Sequence, residues 1–156
     1  MPKTAYPLLD ITAQWGRLND TLIQLIDYVP DEQMGWSPRE DLWNFHGILT
    51  HVVITRDNWL GGFARDGIQP PDVFDSLHSK EGVKHELARS WERLLRFLSD
   101  KTKVSAIYEG ERGGQEYKLS GYWMAFHLLE HDIHHRADIF HYLALLNIEH
   151  PQVGTP

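Results

Sequence analysis

Four long stretches of this chain place apolar residues at the period of an α-helix, and that spacing constrains the fold more than anything else in it. Leu8, Ile11, Trp15, Leu18, Leu22, Leu25, Ile26 and Val29 share one helical face. They predict a first helix over about 7–29, stopped by Pro30. Ser37-Pro38-Arg39-Glu40 has the form of a helix start, with Ser37 as cap, Pro38 at the first position and Glu40 closing a capping box. A second helix is therefore expected over about 38–60, ending near Gly61-Gly62. Its apolar residues cover more than one narrow stripe, as in a helix buried on several sides. Val83, Leu87, Trp91, Leu94, Leu95 and Leu98 mark a third over about 80–99. The fourth begins after Ser120 and ends near Leu146 and Asn147, before Pro151.

Residues 61–78 and 100–119 lack this period. The second stretch holds Gly110 and Gly113-Gly114 between Tyr108 and Tyr117, which fits a short hairpin or an irregular excursion. The pattern predicts an all-α, up-down four-helix bundle with long loops after the second and third helices. At 156 residues it is read as a single domain, 1–156.

Charge and composition narrow the function. There are 15 Lys+Arg against 22 Asp+Glu, for a formal net charge of −7. A partner held mainly through phosphates needs clustered basic side chains, so nucleic acid is not expected. No apolar run reaches the roughly 18 residues of a membrane span, and no basic-then-apolar leader is visible. A cytoplasmic protein without membrane attachment is the expectation. Cysteine is absent, which excludes thiolate nucleophiles and Cys-based zinc sites. No nucleophile elbow surrounds Ser120.

Histidine stands out, with 10 copies, five of them between His127 and His141. His127, His131 and His135 are successive i,i+4 neighbours on one helical face, close enough for two imidazoles to reach one ion. A further ligand must come from another helix, and the second helix offers His46 and His51. His51 shares a largely apolar stripe with Ile48, Val52, Thr55 and Trp59, which should point inward. Two histidines from the fourth helix and one from the second would leave a coordination position open, as catalytic metal sites do. Asp138 shares their face as a further ligand or an acceptor for an imidazole N–H, while Glu130 and Asp132 lie to either side and could orient rings. His134 and His141 read as surface or hydrogen-bonded residues, and His78, His85 and His150 as surface or loop residues. Trp15, Trp43, Trp91 and Trp123 read as core or interface, and Trp59 also as a pocket wall.

The stretch His127-Leu128-Leu129-Glu130-His131-Asp132-Ile133-His134-His135-Arg136, with Leu49-Thr50-His51-Val52 and Trp59 upstream, resembles the DinB/YfiT-like superfamily of small metal-binding bundles. The later segment is similar to that family's H-x-x-N-H-x-x-x-H-R-G-Q pattern, and the Trp36-Ser37-Pro38 lead fits as well. The resemblance implies a four-helix bundle with a divalent ion (nickel, zinc or iron) held by His51, His131 and His135. It also implies a homodimer, and an activity as a metal-dependent hydrolase or as a thiol S-transferase using a low-molecular-weight thiol such as mycothiol or bacillithiol. Glu130 replaces the family's Asn, and Ala137-Asp138 its Gly-Gln, which changes the surroundings of the triad.

The expected function is thus a metal-dependent enzyme in which the ion activates water or a thiol for attack on a small-molecule substrate. Glu130 and Asp138 are the candidates for catalytic proton handling. Arg56 and Tyr122, with Arg136, could bind an anionic group, and Trp59 and His127 could line the pocket. The alternative is a stress-related dimeric bundle that holds a metal or small ligand without turnover. Ligating imidazoles must be neutral, so metal should be lost below the ordinary histidine range of roughly 6–7.

Overall fold

The computed structural model describes residues 11–69 and 76–150. The expected first turn at 7–10 and the stop at Pro151 lie outside those residues. Five helices are described: α1 (Ile11–Tyr28), α2 (Phe45–Asn58), α3 (Lys80–Ser99), α4 (Lys101–Ser105) and α5 (Gly121–Leu145). Between α4 and α5 a two-stranded antiparallel hairpin, β1 (Ile107–Arg112) and β2 (Gln115–Ser120), turns at Gly113-Gly114. Both glycines have positive φ, 61° and 79°, which the tight turn requires. This resolves the choice left open for 100–119: the stretch is a short helix followed by a hairpin.

The four long helices form the bundle. Their principal contacts run α1 to α3, α3 to α2, α2 to α5 and α5 back to α1, a closed ring with α1 diagonal to α2 and α3 diagonal to α5. The long connections permit this order. The core holds Leu22, Leu25, Ile26, Phe45, Leu49, Val52, Val53, Leu87, Leu94, Leu128 and Leu143, all fully buried. Each such side chain contributes about 1.5–3 kcal/mol on burial, against the chain entropy lost.

Helix ends follow the sequence at Ser120 and Asn147 and depart from it at the start of the second helix. Ser79 accepts from the Gly82 amide at the start of α3, and Ser120 from the Trp123 amide at the start of α5. Asn147, at φ 56°, closes α5. The expected start of the second helix at Ser37-Pro38 is wrong, because α2 begins at Phe45 with Asn44 as its cap, accepting from Gly47 at 2.7 Å. The Ser37 hydroxyl donates to the Arg39 carbonyl instead. The first amides of α2 are satisfied by the preceding loop, Phe45 N–H by Trp36 O and His46 N–H by Met34 O. The loop thereby folds back on α2 and delivers Trp43 to one end of it. At its other end α2 widens into a π-helical turn, Trp59–Phe63, a distortion frequent near functional sites.

Candidate metal centre

α2 and α5 pack against each other, and His51 on α2 faces His131 and His135 on α5. The i,i+4 spacing puts the α5 rings one turn apart, with centroids 4.5 Å from each other. His51 Nε2 and His131 Nε2 lie 2.8 Å apart, and one nitrogen from each of the three rings falls within 4.8 Å of the others. Nitrogens bound at 2.0–2.1 Å to one tetrahedral ion would be about 3.3 Å apart, so this is a chelating spacing. All three rings are half-buried.

The surroundings disfavour protons on two of these rings, His51 and His135. Burial, with the facing rings of His131 and His135, pushes His51 from 6.5 down to about 4. Burial and His131 lower His135 as well, against the opposing pull of Asp138. Burial and then His131 lower His127. Proton competition at His51 is thereby displaced below its ordinary 6.5, to about 4.

The remaining ring nitrogens fall into three cases. His135 Nδ1 is 3.1 Å from Asp138 Oδ2, which fixes the tautomer and leaves Nε2 for the centre. Thr55 Oγ1 stands 3.4 Å from both nitrogens of His51. His131 Nδ1 is buried without a hydrogen-bond partner, and so is Asp132 Oδ1. Three imidazole nitrogens that converge from two helices are a donor set suited to a divalent ion, so the residues present fit one.

Aromatic side chains pack against the trio and its neighbour His127. Trp43, 49% exposed, sets its edge against His51 at 4.1 Å and lies near-parallel to His135 at 5.9 Å. Trp123 stacks on His127 at 5.2 Å, and Trp59 meets His127 at 4.7 Å and Phe63 at 4.3 Å. The row continues through Phe63 to Tyr117 on the hairpin, with Arg112 over the Phe63 ring at 4.7 Å. Trp43 thus packs on the trio and Trp123 on His127, where the sequence suggested core or interface.

The other expected site residues separate. His127 lies next to His131, with ring centroids 6.5 Å apart, and Trp59 packs on His127. Glu130 is exposed and Tyr122 is 64% exposed. Arg56 faces the core, not a substrate: it is fully buried, with NH2 2.8 Å from Asp132 Oδ2 and NH1 2.8 Å from Asn19 Oδ1. Asp132, also fully buried, accepts from Trp15 Nε1 at 2.7 Å and from Arg56 Nε at 3.1 Å. Burial alone would raise its carboxyl, but the Arg56 charge and these hydrogen bonds hold it below the usual range. The pairing of Arg56 with Asp132 has no signal in the sequence, since 76 residues separate them. His46 does not join the trio, its Nε2 meeting the Leu77 carbonyl. A separate cleft on the hairpin is lined by Glu109, Glu111, Glu116, Tyr117 and Lys118 and includes none of the three histidines.

Among solved structures, the chain is similar to a DinB-like protein, YjoA, from Bacillus subtilis, with a TM-score of 0.67 at 13% identity, covering 93% of this chain and 96% of that one. That likeness is one of fold. No curated protein matches by sequence. The model of the DinB superfamily matches residues 14–139, which span most of α1, the loop bearing Trp43, all three facing histidines and most of α5. By that match the chain belongs to the DinB superfamily.

Proposed function

We propose that this protein holds one divalent metal ion on His51, His131 and His135 and uses it to act on a small molecule. The observation that carries the reading is the convergence of three half-buried imidazoles, two of them nitrogen to nitrogen at 2.8 Å, with protons disfavoured on His51. When bound, an ion with three protein ligands supplies Lewis acidity toward water or a low-molecular-weight thiol in its open position. The three neutral imidazoles suit nickel, zinc or iron.

The chain's own residues set the conditions around that position. Asp138 holds the Nδ1 proton of His135. Trp43 packs against the His51 and His135 rings. Trp59, Trp123 and His127 offer aromatic faces for the organic part of a substrate. Hydrolysis and thiol S-transfer both fit these parts. The test is a panel of thiol-plus-electrophile pairs and hydrolysable esters and amides, assayed with the metal-loaded protein. Metal-dependent turnover that disappears in His131→Ala supports the enzyme.

A second reading, metal or small-ligand binding without turnover, has its own observation. Of the two carboxylates expected to handle protons, Asp138 is engaged by His135 and Glu130 is exposed. Silence across the panel, with strong metal-dependent thermal stabilisation, favours that reading.

A further inference from the structure

Asp132 sits between the bundle core and the candidate centre, and its two oxygens have opposite surroundings. Oδ2 accepts three hydrogen bonds, from Trp15 Nε1, Arg56 Nε and Arg56 NH2. Oδ1 accepts none, and it lies 3.7 Å from His131 Nδ1, which is itself buried and unpartnered. A separation of 3.7 Å is too long for a hydrogen bond. Yet these two atoms are the only buried side-chain nitrogen or oxygen atoms without a partner among the described residues. They are adjacent in sequence, and the Oδ2 end of the carboxylate is clamped, so the imidazole is the part left free to adjust.

We infer that Asp132 is the positioning residue of the centre: clamped by Arg56 and Trp15, it takes the Nδ1 proton of His131 as a hydrogen bond and so presents Nε2 to the metal. This rests on the metal reading above. Partners behind a ligating imidazole fix its tautomer and ring orientation and raise its basicity, and losing one typically weakens metal binding about 10–100-fold. Arg56 and Trp15 then act on the centre at one remove, by holding the carboxylate.

Zinc is a suitable probe because it is diamagnetic. In the zinc-loaded parent protein, long-range proton–nitrogen NMR of the imidazoles should show His131 bound through Nε2, with a strongly deshielded Nδ1 proton. Asp132→Asn should remove that deshielding and raise the zinc Kd about 10–100-fold in a protein that stays folded. A role confined to the core would leave both the proton signature and the Kd untouched, and that result overturns the inference. So does zinc bound through His131 Nδ1. The NMR result on the parent decides the matter even where Asp132→Asn does not fold. If the parent takes up no zinc at all, the metal reading itself fails and the positioning role falls with it.

Discussion

α2 carries two polar clusters, and they are built on opposite rules. Toward α3 the charges are matched. Arg93 bridges Asp57 at 2.9 Å and Asp66 at 2.7 Å, Arg89 joins Asp57 to Glu86, and Arg56 is shared among Asn19, Ser90 and Asp132. Burial alone would raise the Asp66 carboxyl, but hydrogen bonds from Arg93 and the Ile68 backbone hold it below the usual range. Toward the α5 histidines the groups are unmatched: like rings face each other, and His131 Nδ1 has no partner. A matched buried network locks helices together, and an unmatched one has to be completed by something else. Asp132 belongs to both, with one oxygen on each side.

The largest expected effect comes from breaking the matched side. Arg56→Met leaves Asp132 buried and unpaired, and urea unfolding should show a loss of about 3–5 kcal/mol. A loss near zero would mean that the pair does not anchor the bundle. Arg93→Met, which strips Asp66 of its arginine but leaves Asp57 with Arg89, should cost less than Arg56→Met in the same measurement.

The unmatched side should respond in the reverse way. His51→Ala in metal-free protein is expected to change stability by less than about 1 kcal/mol, since it removes a half-buried ring that repels its neighbours when charged. Zinc at a hundred times its Kd should stabilise the parent by about 2.7 kcal/mol. The variant should lose that increment, and calorimetry with and without zinc reads both.

The two sides also separate by pH. The His51 pKa is lower in the folded state, at about 4, than its ordinary 6.5, so the unfolded chain binds more protons between those values. Metal-free protein should therefore lose stability as pH falls from 6.5 toward 4, and His51→Gln should flatten that slope. Asp132 and Asp66 are depressed below their ordinary 3.8, so their contribution is intact through that window and is lost only as pH drops through the folded values. Chemical unfolding across the range resolves the two phases. The smallest effect is expected at the surface, where Arg39 pairs with Asp41 with both side chains largely exposed. Arg39→Ala should cost less than about 1 kcal/mol.

Much of the architecture was legible in the sequence. The third helix, expected at 80–99, is Lys80–Ser99, and the Ser120 start of the last helix is as expected. Both rest on local signals, an apolar stripe and a capping side chain. The second helix start was misread because Ser37-Pro38-Arg39-Glu40 satisfies the same local rule. There the tertiary hydrogen bonds of the loop, Phe45 to Trp36 and His46 to Met34, outweigh it. At the site, i,i+4 spacing placed His131 beside His135, and the inward stripe of α2 supplied His51. The ring contacts of Trp43 with the trio and of Trp123 with His127 were unreadable, because a tryptophan at core spacing looks the same whether it faces a helix or an imidazole. Arg56 looked like an anion receptor for a similar reason, since its partner is on a different helix.

The most direct test of the metal centre is elemental analysis of tag-free protein, with His51→Ala, His131→Ala and His135→Ala in parallel. About one divalent ion per chain in the parent, lost in each folded variant, is the expected result. No metal in the parent after incubation with nickel, zinc and iron salts, or metal retained in all three variants, would contradict it.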